Sequence, residues 1–303
     1  MIETDEDIAV GTKVFKRTSK LEDLLSSIPE CVETVYIADD GKTEERDPLY
    51  SQSYHFDLVV LDLEYDEGLG AGRRAIVEEM DEDYLVIVDS DHTIPDNLLT
   101  LQRVLKANER LGGVAGAIVE PDTPAYYITG QFFEEVDGAL HRGPFLSEDV
   151  DIDVVDGHPV IYFDFVANAA MFRRECLEEY SWDSAYVIGY EHVDFYIGHW
   201  KRTDWDFGVC PEVVFEHYPG GSTDYSENRN NDNKLSSSQS YFLNKWGYEA
   251  DVTMGFRWVR GPPSSAWYYR GHMSEWQKAI VILVLDGPRH LLQKISHRIR
   301  TLL

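Results

Sequence analysis

Asp89 and Asp91 stand one residue apart at the end of an apolar run, Tyr84-Leu85-Val86-Ile87-Val88, with His92 next and Pro95 closing the turn. Such a run reads as a buried strand. Carboxylates that follow it one residue apart diverge, so one can meet a metal ion while the other meets a sugar hydroxyl or the ion's water. Hard oxygen donors of this kind suit Mg²⁺ or Mn²⁺ carrying phosphates. An Asp-x-Asp pair alone is equally well a solvated surface or the cap of the next helix; its position at a strand end is what favours chemistry. Asp39 and Asp40 close another apolar run, followed by Gly41. Gly68, Gly70 and Gly72 open a helix beside Arg73, and the backbone amides there could hold a diphosphate. The spacing is G-x-G-x-G after the third strand, which argues against a dinucleotide fingerprint.

The elements that must position these residues alternate. Strands are expected at 8–15, 33–41, 56–63, 84–91 and 114–120, and helices at 19–28, 68–80 and 94–112, the first with Ser19 and Glu22 as a capping box. Alternation with short connections implies right-handed crossovers and an α/β, mostly parallel, doubly wound sheet. Ligands gather at the carboxyl ends of such strands, where Asp39, Asp40, Asp89 and Asp91 all fall. After residue 120 the pattern is mixed: a β-meander over 126–144, a strand entering a helix over 160–180, an aromatic helix over 190–202, and a strand and turn over 207–221. Residues 221–240, rich in Ser, Asn and Gly, are expected as an exposed loop or lid.

The chain of 303 residues has 55 acidic against 27 basic residues, a net charge of −28, yet 43% of it is apolar. That describes a folded protein with an acidic coat, suited to concentrated salt and hence to a halophilic source. The same field argues against a nucleic-acid partner. Cys31, Cys176 and Cys210 form no C-x-x-C pair, which fits a reduced, intracellular setting without a zinc site. The acidic start shows no export signal, and the longest apolar run, 279–285, is far short of the ~20 residues that span a bilayer.

In order, the segments VFKRTSKLEDLLSSI, YIADDGKT, DEGLGAGRR, VDSDH and YEHVDF resemble the family 2 glycosyltransferases of GT-A fold, over roughly residues 8 to 220. The resemblance implies an αβα sandwich that binds a nucleotide sugar, with UDP the expected nucleotide, and a divalent cation, Mn²⁺ or Mg²⁺. It puts Asp39 and Asp40 on the nucleotide, Gly70 and Arg73 near its base and phosphates, Asp89 on nucleotide and metal, and Asp91 on the metal. Lys13, Phe15 and Arg17 fall at the nucleotide edge by position. His217 is the expected third metal ligand, with a structural strand-end histidine as the alternative, while His92 reads as a helix cap. The acceptor motif appears as YEHVDF, with His192 where a second acid is usual, which leaves the general base open between Glu191 and Asp194. At i and i+3 on one helix both can face one cleft. One carboxylate suffices to take a hydroxyl proton, and attack opposite the leaving group inverts the anomeric centre. Asn168 is expected near donor or acceptor, Arg173 and Arg174 either reach a phosphate or make salt bridges at a helix end, and Tyr186, Tyr190, Trp200 and Trp205 either stack on sugars or pack in the core.

These features divide the chain into a catalytic domain at 1–220, with a nucleotide-sugar half to about 120 and an acceptor half from 121, then the loop or lid, and an extension at 241–303. Within 272–303 five basic residues face only Glu275 and Asp286, and Leu291, Leu292, Ile295, Ile299 and Leu302 form an apolar helical stripe. Such a helix suits an anionic membrane surface or packs on the acidic domain. The expectation is an inverting transferase of hexose or hexuronic acid to a dolichol phosphate-linked glycan, resembling haloarchaeal enzymes of protein N-glycosylation. It would lie in the cytoplasm against the inner face of the membrane. Transfer to exopolysaccharide or glycolipid is the nearer alternative, and a non-catalytic sugar-binding protein the farther one.

Overall fold

A computed structural model describes residues 7–121, 125–127, 130–143, 151–253, 275–285 and 287–302. The acidic residues 1–6 and parts of the expected meander lie outside them. The first half runs β1 (Ile8–Val14), α1 (Thr18–Ser26), β2 (Thr34–Asp39), α2 (Asp47–Tyr50), β3 (Asp57–Asp62), α3 (Leu69–Glu79), β4 (Tyr84–Ile87), β5 (His92–Thr93), α4 (Leu99–Ala107) and β6 (Leu111–Glu120). It continues through β7 (Ala125–Tyr127), β8 (Gly130–Val136), β9 (Ala139–Gly143), β10 (Ile152–Val155), β11 (His158–Phe163), β12 (Phe165–Val166) and β13 (Ala170–Arg173). Then come α5 (Arg174–Glu179), α6 (Glu191–Arg202), β14 (Asp206–His217), α7 (Thr223–Arg229), α8 (Asp232–Trp246), β15 (Ala250–Thr253), α9 (Glu275–Leu285) and α10 (Gly287–Leu302).

The large sheet has the order β10-β11-β14-β6-β13-β4-β1-β2-β3. The expected parallel pairing holds across β3, β2, β1 and β4, and again between β6 and β14. Between these blocks β13 runs antiparallel to both neighbours, so the sheet is mixed. Apolar residues of α1 and α4 (Leu21, Leu24, Leu101, Val104) cover one face, and those of α3, α5, α6 and α8 (Ile76, Leu177, Phe195, Phe242) cover the other. The result is a three-layer αβα sandwich.

Two local departures bear on the site. The capping box does not form: α1 starts at Thr18, Ser19 lies inside the helix, and Arg17 occupies the cap position without a side-chain cap bond. The expected helix at 94–112 forms only over Leu99–Ala107, its last residues Leu111 and Gly112 belonging to β6, and just ahead of it His92 and Thr93 pair with the end of β14. That strand changes register between Cys210 and Val214, beside Pro211, whose missing N–H cannot serve a ladder.

On the terminal helices, Trp276, Ile280, Val284, Leu292 and Ile295 are exposed while Ile282 is buried. Among the described residues no helix is long and apolar enough to cross a membrane.

Candidate active site

Strand β4 is buried along its length between β1 and β13, and this fixes the turn that follows it. His92 N–H donates to the Asp89 carbonyl at 3.1 Å, and β5 then pairs His92 with His217. The two imidazoles stack with centroids 4.6 Å apart. His217 Nε2 lies 3.3 Å from Asp91 Oδ2, and His92 Nδ1 lies 3.6 Å from Asp91 Oδ1. One ligand atom from each of Asp91, His92 and His217 falls within 4.8 Å of the others. Arg17 pairs with Asp91 Oδ2 from the other side, while the buried Oδ1 accepts no hydrogen bond. Burial opposes ionisation of Asp91, but the two imidazoles and Arg17 outweigh it and hold the carboxyl well below the usual carboxylate range. Asp89, expected on the metal as well, is outside this trio: its Oδ1 accepts from Arg73 and from Asn168, each at 3.0 Å.

At the end of β2 Asp39 is turned inward, accepting from Arg46 Nε (2.8 Å), the Tyr50 hydroxyl (2.6 Å) and Gly41 N–H (2.8 Å). Gly41 is required there, since a Cβ would lie 1.7 Å from the Phe15 carbonyl oxygen. Asp40, fully buried, pairs with Lys13 at 2.7 Å and accepts from Gly68 N–H at 2.9 Å. Leu69 and Gly70 donate their amides to the carbonyls of Val187 and Tyr186. The start of α3 is therefore spent on packing against 183–187, and its amides are not left for a diphosphate. A Cβ at Gly70 would meet the Asp183 carbonyl at 2.1 Å, which accounts for that glycine by close approach alone.

The segment expected as a loop or lid is helical. Ser222 Oγ accepts from Tyr225 N–H to start α7, and Asn231 Oδ1 accepts from Asn233 and Lys234 N–H to start α8. The polar residues read as loop formers are thus helix caps. Helix α7 covers a pocket whose other walls include Lys13, Phe15, Arg17, Asp66 and Asp89, and it contributes Tyr225, Asn228 and Arg229. Asn228 donates to Asp66 at 3.0 Å, and Lys234 pairs with the same carboxylate. The Arg17 guanidinium lies 4.4 Å from the Tyr225 ring centroid.

On α6 the two candidate bases have different surroundings. Glu191 is buried, with Oε1 accepting from Arg73 at 3.2 Å and Oε2 unpartnered. Asp194 is fully buried and accepts from the hydroxyls of Tyr180 and Tyr186 at 3.0 Å each and from Lys245 and Trp246 at 2.8 Å each. Both oxygens of Asp194 are taken, by Tyr180 and Tyr186 ahead of α6 and by Lys245 and Trp246, which dock the end of α8 onto α6. The expectation that both carboxylates face one cleft is therefore not met. His192 lies between the edges of Phe165 and Trp182, and burial keeps its imidazole neutral.

A model of glycosyl transferase family 2 matches residues 14–181, more than half of the chain. The chain belongs to this family. The fold is also that of solved GT-A relatives: GalNAc-T7 with UDP, GalNAc and Mn²⁺ (TM-score 0.58, 12% identity, 97% of this chain and 57% of that one). TarS 1-349 of S. aureus is similar as well (TM-score 0.51, 12% identity, 78% and 65%). The chain spans less than two thirds of the length of either structure. Among curated proteins, no sequence matches it.

Within this family's frame the trio of one carboxylate and two imidazoles, with a buried carboxylate oxygen awaiting a partner, fits a divalent cation of the Mn²⁺ type. Asp91, His92 and His217 would hold it. His92 is the ligand candidate that sequence reasoning assigned to a cap; only its pairing with a strand more than a hundred residues away reveals it. Arg229 was also missed. It lines the same pocket as Arg17 and Asp89, where burial works against its charge and the carboxylates of Asp89, Glu191 and Asp91 favour it. Asn168 donates to Asp89 Oδ1 at 3.0 Å, beside the Asp-x-Asp turn. Of the two readings of the arginine pair, the structural one fits: Arg173 donates to the carbonyls of Leu111, Leu105 and Asn108, and Arg174 pairs with Asp83. Tyr186 and Tyr190 hold Asp194 and Asp251, Trp205 donates to Glu179, and Trp200 packs edge-on against Phe133.

Proposed function

We propose that the protein is an inverting, metal-dependent glycosyltransferase. It moves a hexose or hexuronic acid from a UDP-sugar to a sugar hydroxyl of a dolichol phosphate-linked glycan in archaeal protein N-glycosylation. The observation that carries this reading is the Arg73 guanidinium, 3.0 Å from Asp89 Oδ1 and 3.2 Å from Glu191 Oε1. It ties the Asp-x-Asp turn to a carboxylate that keeps one oxygen without a partner.

That free oxygen, Glu191 Oε2, takes the acceptor's hydroxyl proton as the hydroxyl oxygen bonds to the anomeric carbon. The bond from that carbon to the diphosphate breaks, and its electron pair leaves on phosphate oxygen. Attack from the face opposite the diphosphate inverts the centre. Lys13, Arg17 and Arg229 line the pocket and supply positive charge where the leaving group becomes more negative. A bound divalent cation adds Lewis-acid neutralisation of the diphosphate. The GalNAc-T7 structure, which carries UDP, GalNAc and Mn²⁺, supports this donor and metal class by precedent of fold.

A general base favours a hydroxyl acceptor, because a lipid phosphate is already nucleophilic at neutral pH. The lipid anchor of the acceptor is supported by the exposed apolar residues of α9 and α10, Trp276, Ile280, Val284, Leu292 and Ile295, in a segment with a basic excess. Such helices lie in the headgroup layer of an anionic membrane, which supports a peripheral position on its cytoplasmic face. Mass spectrometry of lipid-linked glycans from cells with and without the gene tests the assignment. Loss of one hexose or hexuronic acid from the dolichol phosphate glycan is expected. Unchanged lipid-linked glycans with an altered polysaccharide or glycolipid would move the acceptor there.

A further inference from the structure

Arg17 is an unusual residue for its position. It sits at the N-cap of α1, where the helix dipole disfavours a cation and where Ser, Thr, Asp or Asn would satisfy the free amides; no side chain caps this helix and no acid lies in its first turn. What compensates is Asp91: the two side chains pair with only 10% and 6% of their surfaces exposed. Asp91 is also the carboxylate that, with His92 and His217, fits a divalent cation. Arg17 holds Oδ2, the oxygen that His217 Nε2 faces at 3.3 Å, so a cation entering between His217 and Asp91 meets the guanidinium's charge at close range. Arg17 already lines the donor pocket, and its far face is steadied by the Tyr225 ring at 4.4 Å. A planar guanidinium leaving a carboxylate there meets the group it matches best, a phosphate.

We propose that Arg17 is a built-in counter-ion. In the metal-free protein it holds Asp91 in the cation's place, and when the cation enters it transfers to the donor's diphosphate. Metal and nucleotide binding are thereby coupled through one side chain: the ion frees the arginine that the nucleotide needs. This inference rests on the metal assignment above.

The test is Mn²⁺ binding to the full chain in molar KCl without donor, followed by the electron paramagnetic resonance signal of free Mn²⁺, and then UDP affinity at saturating Mn²⁺ by calorimetry. Arg17→Ala removes the competing charge, so Mn²⁺ should bind about tenfold more tightly than to the wild type, while UDP binds at least about tenfold more weakly. Arg17→Met keeps the apolar stem and should do the same if the alanine variant fails to fold. Equal or weaker Mn²⁺ binding by a folded variant, or unchanged UDP affinity, overturns the proposal. If the wild type itself binds no Mn²⁺, the metal assignment is what fails.

Discussion

His217 lies directly opposite His92 in the short bridge that closes the Asp89–Asp91 turn, and the two rings stack at 4.6 Å. Each imidazole is held beside Asp91 by the other and by the β5–β14 pairing, which sets His92 in a strand bridge ahead of α4 and not at its cap. His92→Ala and His217→Ala should therefore each lower Mn²⁺ affinity by at least about tenfold, on the scale of 1.4 kcal/mol per decade. Titration with Mn²⁺ checks this. If His92→Ala binds as the wild type does, the ion takes only Asp91 and His217 from this trio.

Asp194 gathers two phenols, an indole and an ammonium, and is fully buried. Burial resists the charge of its partner Lys245, but the hydrogen bonds to Asp183 and Asp194 win, and the Lys245 pKa rises. Asp194→Asn removes one of the two carboxylates that Lys245 faces, Asp183 remaining, and weakens the other bonds gathered there, with an expected destabilisation on the order of 1–3 kcal/mol. Chemical denaturation in high salt reads this directly. An unchanged midpoint together with collapsed turnover would return the base role to Asp194.

His199 is fully buried within α6, and burial pushes its imidazole down to about 4 from the usual 6.5. Between those values the unfolded chain binds the extra proton. Stability should fall as pH drops from about 6.5 to about 4 and level off below, by on the order of 3 kcal/mol from this group. Unfolding midpoints of the wild type and His199→Gln, compared at constant salt over that window, isolate the contribution. Parallel curves for the two proteins would remove His199 as its source.

Removing residues 275–303 should abolish co-sedimentation with anionic vesicles and leave donor hydrolysis intact. If the truncated chain still partitions with the vesicles, the exposed face of α9 and α10 serves another partner.

Strands β1 to β4 and helix α3 are legible in the sequence because their period and their carboxyl-end acids follow from local chemistry. What escaped depends on distant pairing. The end of β14 claims His92 and Thr93, which turns a residue read as a cap into a ligand candidate. Asp194 faces α8, about fifty residues on, and nothing in YEHVDF shows that Lys245 and Trp246 arrive there. For 223–246 a local signal existed. Ser222 and Asn231 are N-cap residues ahead of helical stretches, but the polar composition masked them. Asp39 and Asp40 do stand at the end of β2, yet Asp39 and the α3 amides are occupied by the protein's own groups, a matter of packing that spacing does not reveal.

The most direct measurement is single-turnover transfer from a UDP-sugar, with Mn²⁺ in molar KCl, to the lipid-linked glycan by the wild type and Glu191→Gln. If Glu191 takes the acceptor proton, the variant should lose two to four orders of magnitude in rate, roughly the worth of a positioned base, while its donor affinity stays within about twofold. Transfer at a rate close to the wild type's would contradict the assignment of Glu191 as the base.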